Sequence, residues 1–144
     1  MNSVTLTGIA SLILVATVLP RASLGQERAW SPENARVTVE DIARDTRRLE
    51  TTLRSPGPAT KERVAGALGA LETQTGELLR ALDDLSADLQ YGKTREETQA
   101  KFNEIQTLKW RLFRLGRYVE IEEASTEIAA IQEQLQELEE FYAK

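Results

Sequence analysis

The sequence predicts an all-α protein: an antiparallel helical hairpin or bundle of three to four helices with a coiled-coil-like C-terminal helix, preceded by an apolar N-terminal leader. Three observations predict it. Nearly unbroken apolar sequence runs from Val4 to Leu19, whereas the remainder is polar and charged. Apolar residues in that remainder recur three and four positions apart, which is the helical period. Residues that start and stop helices flank these repeats, and the alternation typical of strands is not sustained anywhere in the sequence.

The apolar leader predicts where the protein works. The run from Val4 to Leu19 is 16 residues long, shorter than the roughly 20 that a membrane-spanning helix needs. Ser23 and Gly25 supply small residues at the −3 and −1 positions of a cleavage site. We therefore expect residues 1–25 to be a signal peptide, with the body exported, periplasmic or secreted, after cleavage behind Gly25. No basic residue precedes the run and one follows it, which leaves open a membrane anchor formed by residues 4–19.

The body begins with a predicted extended linker over residues 26–37, followed by a helical domain over 38–144. Thr38 has the character of an N-cap, and apolar residues then recur at helical spacing. We expect the first helix over 39–54. Pro56 and Pro58 end it, because neither can continue a helix.

The second helix is predicted over residues 61–90 and has the longest regular repeat. Its apolar and neutral positions alternate four and three residues apart, as in a coiled-coil seam. Gly92 is expected to take a left-handed C-terminal cap conformation. Thr94 and Glu97 form the pattern of a capping box that opens the next helix, so the two helices should be antiparallel neighbours. The glycines inside the second helix are interpreted as positions of close helix approach: Gly66, Gly69 and Gly76.

The third segment carries two apolar stripes on different sides, predicted as helices over 95–119 and 121–143. Either the chain breaks between Gly116 and Ser125, or one long helix has two apolar faces. The second stripe extends beyond the length that the second helix covers, so it needs another surface. A fold-back into a compact four-helix bundle would provide one, and so would another chain. We expect an oligomer or partner seam made of Ile121, Ile128, Ile131, Leu135, Leu138 and Tyr142.

The residue types exclude most site chemistry. The chain has no histidine and no cysteine, which excludes the usual ligands of zinc, copper, haem and iron–sulfur centres and the Ser-His and Cys-His nucleophiles. A net charge of −5 disfavours nucleic acid as a partner. The acidic cluster of Asp83, Asp84 and Asp88 is interpreted as a solvated helix face. We therefore predict no catalytic, cofactor-binding or metal-binding residue, no cofactor and no enzyme activity.

One segment stands apart from this polar background. Between residues 109 and 118 the sequence holds four basic residues, three aromatic residues and no acid. Three interpretations remain open: ion pairing with a neighbouring helix of the same chain, a protein–protein hot spot, and contact with anionic lipid headgroups. The predicted interaction patch comprises Lys109, Trp110, Arg111, Arg114, Arg117 and Tyr118.

These features favour an exported helical protein–protein interaction module. It would act as an adaptor, scaffold or accessory subunit of a cell-envelope or membrane complex, with protein partners or self-association through the C-terminal helix. A soluble periplasmic chaperone-like binder of exported clients is the alternative. A carboxylate-dependent hydrolase is a distant third, because nothing distinguishes any two of the many carboxylates.

Overall fold

The described part of the chain consists of four helices. A computed structural model describes residues 29–56 and 65–143, and within them no strand occurs. The predicted all-α bundle is thereby confirmed, whereas the leader lies outside the described residues. None of the helices in these two ranges is both long and apolar enough to cross a bilayer. The helices are α1 (Pro32–Arg54), α2 (Ala65–Gln90), α3 (Arg95–Gly116) and α4 (Glu122–Tyr142).

Helix α1 begins earlier than the sequence pattern predicted. Ser31 is its N-cap, with a side-chain oxygen that accepts the Asn34 N–H at 3.4 Å, and Pro32 occupies the first turn. Such a pair is a strong start signal, because the cap satisfies a free N–H and proline fixes the first helical φ. Thr38, the predicted N-cap, is a buried residue inside the helix, and its hydroxyl donates to the Asn34 carbonyl. The end of the predicted linker over 26–37 is therefore helical.

The turn between α2 and α3 has the predicted geometry. Gly92 has a φ of 75°, which only glycine adopts at low cost, and its N–H donates to the Leu89 carbonyl at 3.0 Å. The Thr94 N–H donates to the Glu97 carboxylate at 2.7 Å, and the Glu97 N–H donates to the Thr94 hydroxyl at 3.3 Å. Both halves of the predicted capping box are present. The proposed start of the second helix at 61 lies outside the described residues.

Helices α3 and α4 are separated by a break, as one of the two predicted alternatives required. Helix α3 ends at Gly116 and α4 begins at Glu122. A Cβ atom at Gly116 would lie 2.9 Å from Cδ1 of Ile128, so glycine permits the close approach of the two helices there. The glycines of α2 have no such role: a Cβ at Gly66, Gly69 or Gly76 would meet nothing within 4 Å. Their interpretation as close-approach positions is wrong.

The four helices form an up-down-up-down bundle. Helix α1 packs on α2 and α4, α3 packs on α2, and α3 makes its smaller contact with α4. Polar contacts give the direction of α4: Asp45 accepts from Gln134 at 2.8 Å, and Thr52 donates to Glu127 at 3.0 Å. Later residues of α1 thus contact earlier residues of α4, so these two helices are antiparallel. The Lys101–Asp88 ion pair of 2.7 Å joins α2 to α3 in the same antiparallel sense.

The predicted oligomer seam lies in the core of this bundle. Ile131, Leu135 and Leu138 have no exposed surface, and Tyr142 is also buried. The chain's own helices therefore cover the stripe, and the compact four-helix bundle accounts for it without a second chain. Only Ile121 and Ile128 remain half-buried at the start of α4.

An aromatic cluster closes the end of the bundle where α1 begins. The ring of Phe102 stacks on Tyr142 with centroids 4.1 Å apart, and Trp30 meets Tyr142 edge-on at 5.0 Å. The Tyr142 hydroxyl lies 2.7 Å from the Thr98 hydroxyl. Burial raises the pKa of Tyr142, although the Thr98 contact acts in the opposite direction. This cluster ties α3, α4 and the segment before α1 together.

Candidate functional site

A groove of about 730 Å³ lies between the second half of α3 and the first half of α4. It is at the end of the bundle opposite the aromatic cluster. Three arginines and a tryptophan stand along its α3 side, and small or neutral residues form its α4 side. Among the described residues that line it, none is acidic. The lining comprises Trp110, Arg111, Phe113, Arg114, Gly116, Arg117, Ser125, Ile128, Ala129 and Gln132.

Most of the predicted interaction patch is found at this groove. Trp110, Arg111, Arg114 and Arg117 line it. Trp110 is 68% exposed, and Tyr118, just beyond the end of α3, is 67% exposed. Tryptophan, tyrosine and arginine together are the residue types enriched at the energetic centres of protein interfaces.

Lys109 does not belong to the exposed patch. It is only 6% exposed, and its ammonium group forms an ion pair with Glu139 of α4. The same ammonium lies 5.2 Å from the centroid of the Trp110 ring. Lys109 therefore links α3 to α4 and supports one side of Trp110. The prediction that it forms part of the contact surface is corrected accordingly.

The three arginines of the groove differ from most other cations in the described part of the chain. Arg47 pairs with Asp83 at 2.8 Å, and most other basic residues likewise have a carboxylate partner. By contrast, no residue within 29–56 or 65–143 forms an ion pair with Arg111, Arg114 or Arg117. The interpretation that the patch pairs internally is therefore not supported for these three residues.

The position near the C-terminus of α3 partly explains why arginine residues occur here. Arg114 lies in the last turn of α3, where a cation interacts favourably with the helix dipole, by about 0.3–1 kcal/mol at the surface. That effect is confined to the last turn, so it does not explain Arg111. It does not explain the exposed Trp110 either. Stability of α3 alone therefore does not account for the composition of the groove.

The acidic residues nearest in sequence lie on a different side of the same bundle end. Glu120, Glu122 and Glu123 line a second pocket, together with Thr51, Thr52 and Ser55 around the end of α1. The α1–α4 side of this end is therefore acidic, whereas the α3–α4 side is basic. The fold thus places these three glutamates on a surface separate from the arginines of the groove.

Two of the three acidic residues in the cluster on α2 form ion pairs, whereas Asp84 lies on the exposed helix face. Asp83 accepts from Arg47, and Asp88 pairs with Lys101 and with Lys93, at 2.7 and 2.8 Å. The hydrogen bonds from Lys101 and Lys93 hold the pKa of Asp88 below its ordinary value. Within the described residues, no group of three or more His, Cys, Asp or Glu residues has the arrangement of a metal site. These ion pairs join α2 to α1 through Asp83 and to α3 through Asp88, and Asp88 is buried rather than on a solvated face.

Sequence reasoning missed the α4 side of the groove. Ser125, Ala129 and Gln132 carry no signal of their own, since small and neutral polar residues occur on most helix surfaces. Ile128 was singled out, but as part of the seam. The phase change between α3 and α4 is the one signal that could have suggested it, because it indicated that two helices meet around Gly116.

Comparison of the chain with protein-family models, with curated proteins and with solved structures gives no match.

Proposed function

We propose that this protein is an exported helical interaction module that binds a protein partner through the groove between α3 and α4. In this role it serves as an adaptor, scaffold or accessory subunit of a cell-envelope or membrane complex. The observation that carries the proposal is the exposed Trp110 beside three arginines that have no ion-pair partner in the described chain.

Tryptophan, tyrosine and arginine are the residue types enriched at the energetic centres of protein interfaces. Covering an exposed tryptophan contributes on the order of 2–3 kcal/mol from its apolar area. A guanidinium that meets a carboxylate away from water adds geometric specificity through two parallel hydrogen bonds. A groove that combines both residue types therefore supports selective protein binding.

The export part of the proposal rests on the leader. The apolar run with small residues before Gln26 supports secretion, and the intact mass of the native protein tests it. We expect a mass that begins at Gln26. A mass that retains residues 1–25, together with resistance to alkaline extraction from membranes, would instead support an anchor formed by residues 4–19.

Partner binding is tested by affinity purification from native membranes and the soluble envelope fraction. The tagged full chain should recover a fixed partner in constant stoichiometry. Arg114→Glu with Arg117→Glu should abolish recovery, because two attractive charges become repulsive. Arg44→Glu with Arg48→Glu changes the net charge equally on the exposed face of α1 and is the matched control.

Three outcomes would contradict the proposal. One is the absence of any reproducible partner. Another is equal loss of the partner with the α1 control pair, which would indicate a general charge effect. Recovery of many unrelated unfolded proteins, insensitive to the groove variants, would support the chaperone-like alternative instead.

A further inference from the structure

We propose that the groove receives a short acidic segment of the partner protein that carries an apolar anchor between its carboxylates. This inference rests on the proposed function and adds the chemistry of the bound segment. The charges, the apolar floor and the position of the groove in the bundle each support it.

The arginines define the charge of the ligand. Arg111, Arg114 and Arg117 follow one another at intervals of three residues, so the Cβ atoms of neighbouring arginines are about 5–6 Å apart. The chain carries more acids than bases, 23 against 18, yet no described residue of its own forms an ion pair with these three. Carboxylates of a bound segment, spaced by one helical turn or by two extended residues, would match this row.

The floor defines the anchor. Phe113 and Ile128 are half-buried and face the groove. Ile128 packs against Gly116, and Ala129 contributes only a methyl group, so the groove stays open beside these apolar side chains. Trp110 forms one wall. A leucine or phenylalanine of the ligand would cover these apolar surfaces, whereas a purely acidic chain would leave them in water.

The surroundings favour a slender peptide over an anionic membrane. The acidic pocket of Glu120, Glu122 and Glu123 lies at the same bundle end, so a broad anionic surface would meet these acids as well as the arginines. A peptide contacts the basic side only. The groove also lies at the end of the bundle opposite residue 29. The 22 residues of α3 make a helix about 33 Å long between these two ends.

The test is a fluorescence anisotropy titration of the purified full chain with a labelled peptide, acetyl-Glu-Asp-Glu-Leu-Phe-Glu-Asp-Glu. Two control peptides isolate the contributions. One replaces the acids by Gln and Asn, and the other replaces Leu and Phe by Ala. Each control peptide should bind about tenfold more weakly or worse, since a deleted anchor or charge set of an interface typically has that effect. Raising the salt from about 50 to about 300 mM should weaken binding of the acidic peptide severalfold.

Protein variants locate the site. Trp110→Ala, and Arg114→Glu with Arg117→Glu, should each weaken binding about tenfold or more. Tyr91→Ala is the matched control for Trp110, because Tyr91 is an exposed aromatic residue at the opposite end, in the turn between α2 and α3. The Arg44→Glu with Arg48→Glu pair is the charge control. Both controls should bind like the wild type.

Several results would overturn the inference. Equal binding of the neutral peptide would show that the arginines do not select charge, and equal binding of the alanine peptide would show that no anchor is recognised. Arginine-dependent sedimentation with vesicles of phosphatidylglycerol and phosphatidylcholine, without peptide binding, would assign the groove to a lipid surface. A dimer in sedimentation equilibrium that Arg114→Glu with Arg117→Glu dissociates would assign it to a second copy of this chain.

The proposed function can survive that failure. If affinity purification recovers a partner that the groove variants lose, but the peptide does not bind, the interaction module stands and the chemistry of its ligand is wrong. If neither experiment depends on the groove, both proposals fail.

Discussion

Truncating the core of α4 tests whether this helix belongs to a self-contained bundle. Ile131 and Leu135 have no exposed surface, so shortening them removes contacts that the fold cannot replace. Ile131→Val should lower the free energy of unfolding by about 0.5–1.5 kcal/mol, and Leu135→Ala by about 2–5 kcal/mol. A domain of this size is stable by roughly 5–15 kcal/mol in total. The first variant should therefore remain fully folded, and the second should be markedly weakened.

The assay is urea unfolding of the full chain, followed by far-UV circular dichroism at two protein concentrations about a hundredfold apart. A monomeric bundle has the same urea midpoint at both concentrations. A dimer held together by α4 would gain about 2.7 kcal/mol across that range, because association stabilises the folded state by mass action. Val37→Ala is the control: Val37 lies on α1 and is 47% exposed, so its truncation should cost less than about 0.5 kcal/mol.

Two results would refute the reasoning. If Leu135→Ala unfolds at the wild-type midpoint, α4 does not contribute to the cooperative core. If the wild-type midpoint rises with protein concentration and Leu135→Ala abolishes that rise, the stripe of α4 is an interface between chains, as the sequence pattern first suggested.

Three further predictions concern single side chains. Gly76→Ala should raise the free energy of unfolding by about 0.5–1 kcal/mol, because the new methyl group meets nothing within 4 Å and alanine favours the helix. Gly92→Ala should lower the free energy of unfolding by about 1–2 kcal/mol, since the φ of Gly92 is positive. The urea midpoints of the two variants check both signs. The stabilisation from Asp88 is complete above its ordinary pKa near 3.8 and is lost as the pH falls through its lower folded pKa, so Asp88→Asn should reduce the fall in stability measured across that acidic range. Tyr142 has a raised pKa, so its stabilisation is complete below about pH 10 and is lost as the pH rises toward the folded pKa; Tyr142→Phe should remove that alkaline dependence in thermal melts, and an unchanged slope would contradict the assignment.

The sequence predicted helix ends most reliably where the signal depends only on neighbouring residues. The capping box of Thr94 and Glu97 and the left-handed Gly92 need only a few residues of chain, and both are confirmed. The predicted start of α1 was wrong because it followed the apolar repeat that begins at Val39, which pointed to Thr38 as the N-cap. The stronger local signal, Ser31 followed by Pro32, marks the actual start. A periodic pattern locates the buried face of a helix better than it locates the helix end.

The candidate site was predicted only in part, because a groove is a property of two helices. The α3 residues Trp110, Arg114 and Arg117 stood out by type and spacing. Their partners on α4 did not, since Ser125 and Ala129 become part of a site only when Gly116 lets the helices approach. The stripe of α4 shows the same limit: periodicity shows that a face is covered but does not identify the element that covers it.

The different roles of the basic residues on α3 follow from their rotation around the helix. At about 100° per residue, the side chains of Lys109 and Arg111 leave the helix in directions about 160° apart. That rotation turns Lys109 toward α4, where Glu139 neutralises it, and leaves Arg111 on an exposed face. Arg114 and Arg117 each step back by about 60° from the preceding arginine, so the row curves along the rim of the groove. The bundle therefore uses one cation of the basic segment to hold α3 against α4, and the other three remain exposed.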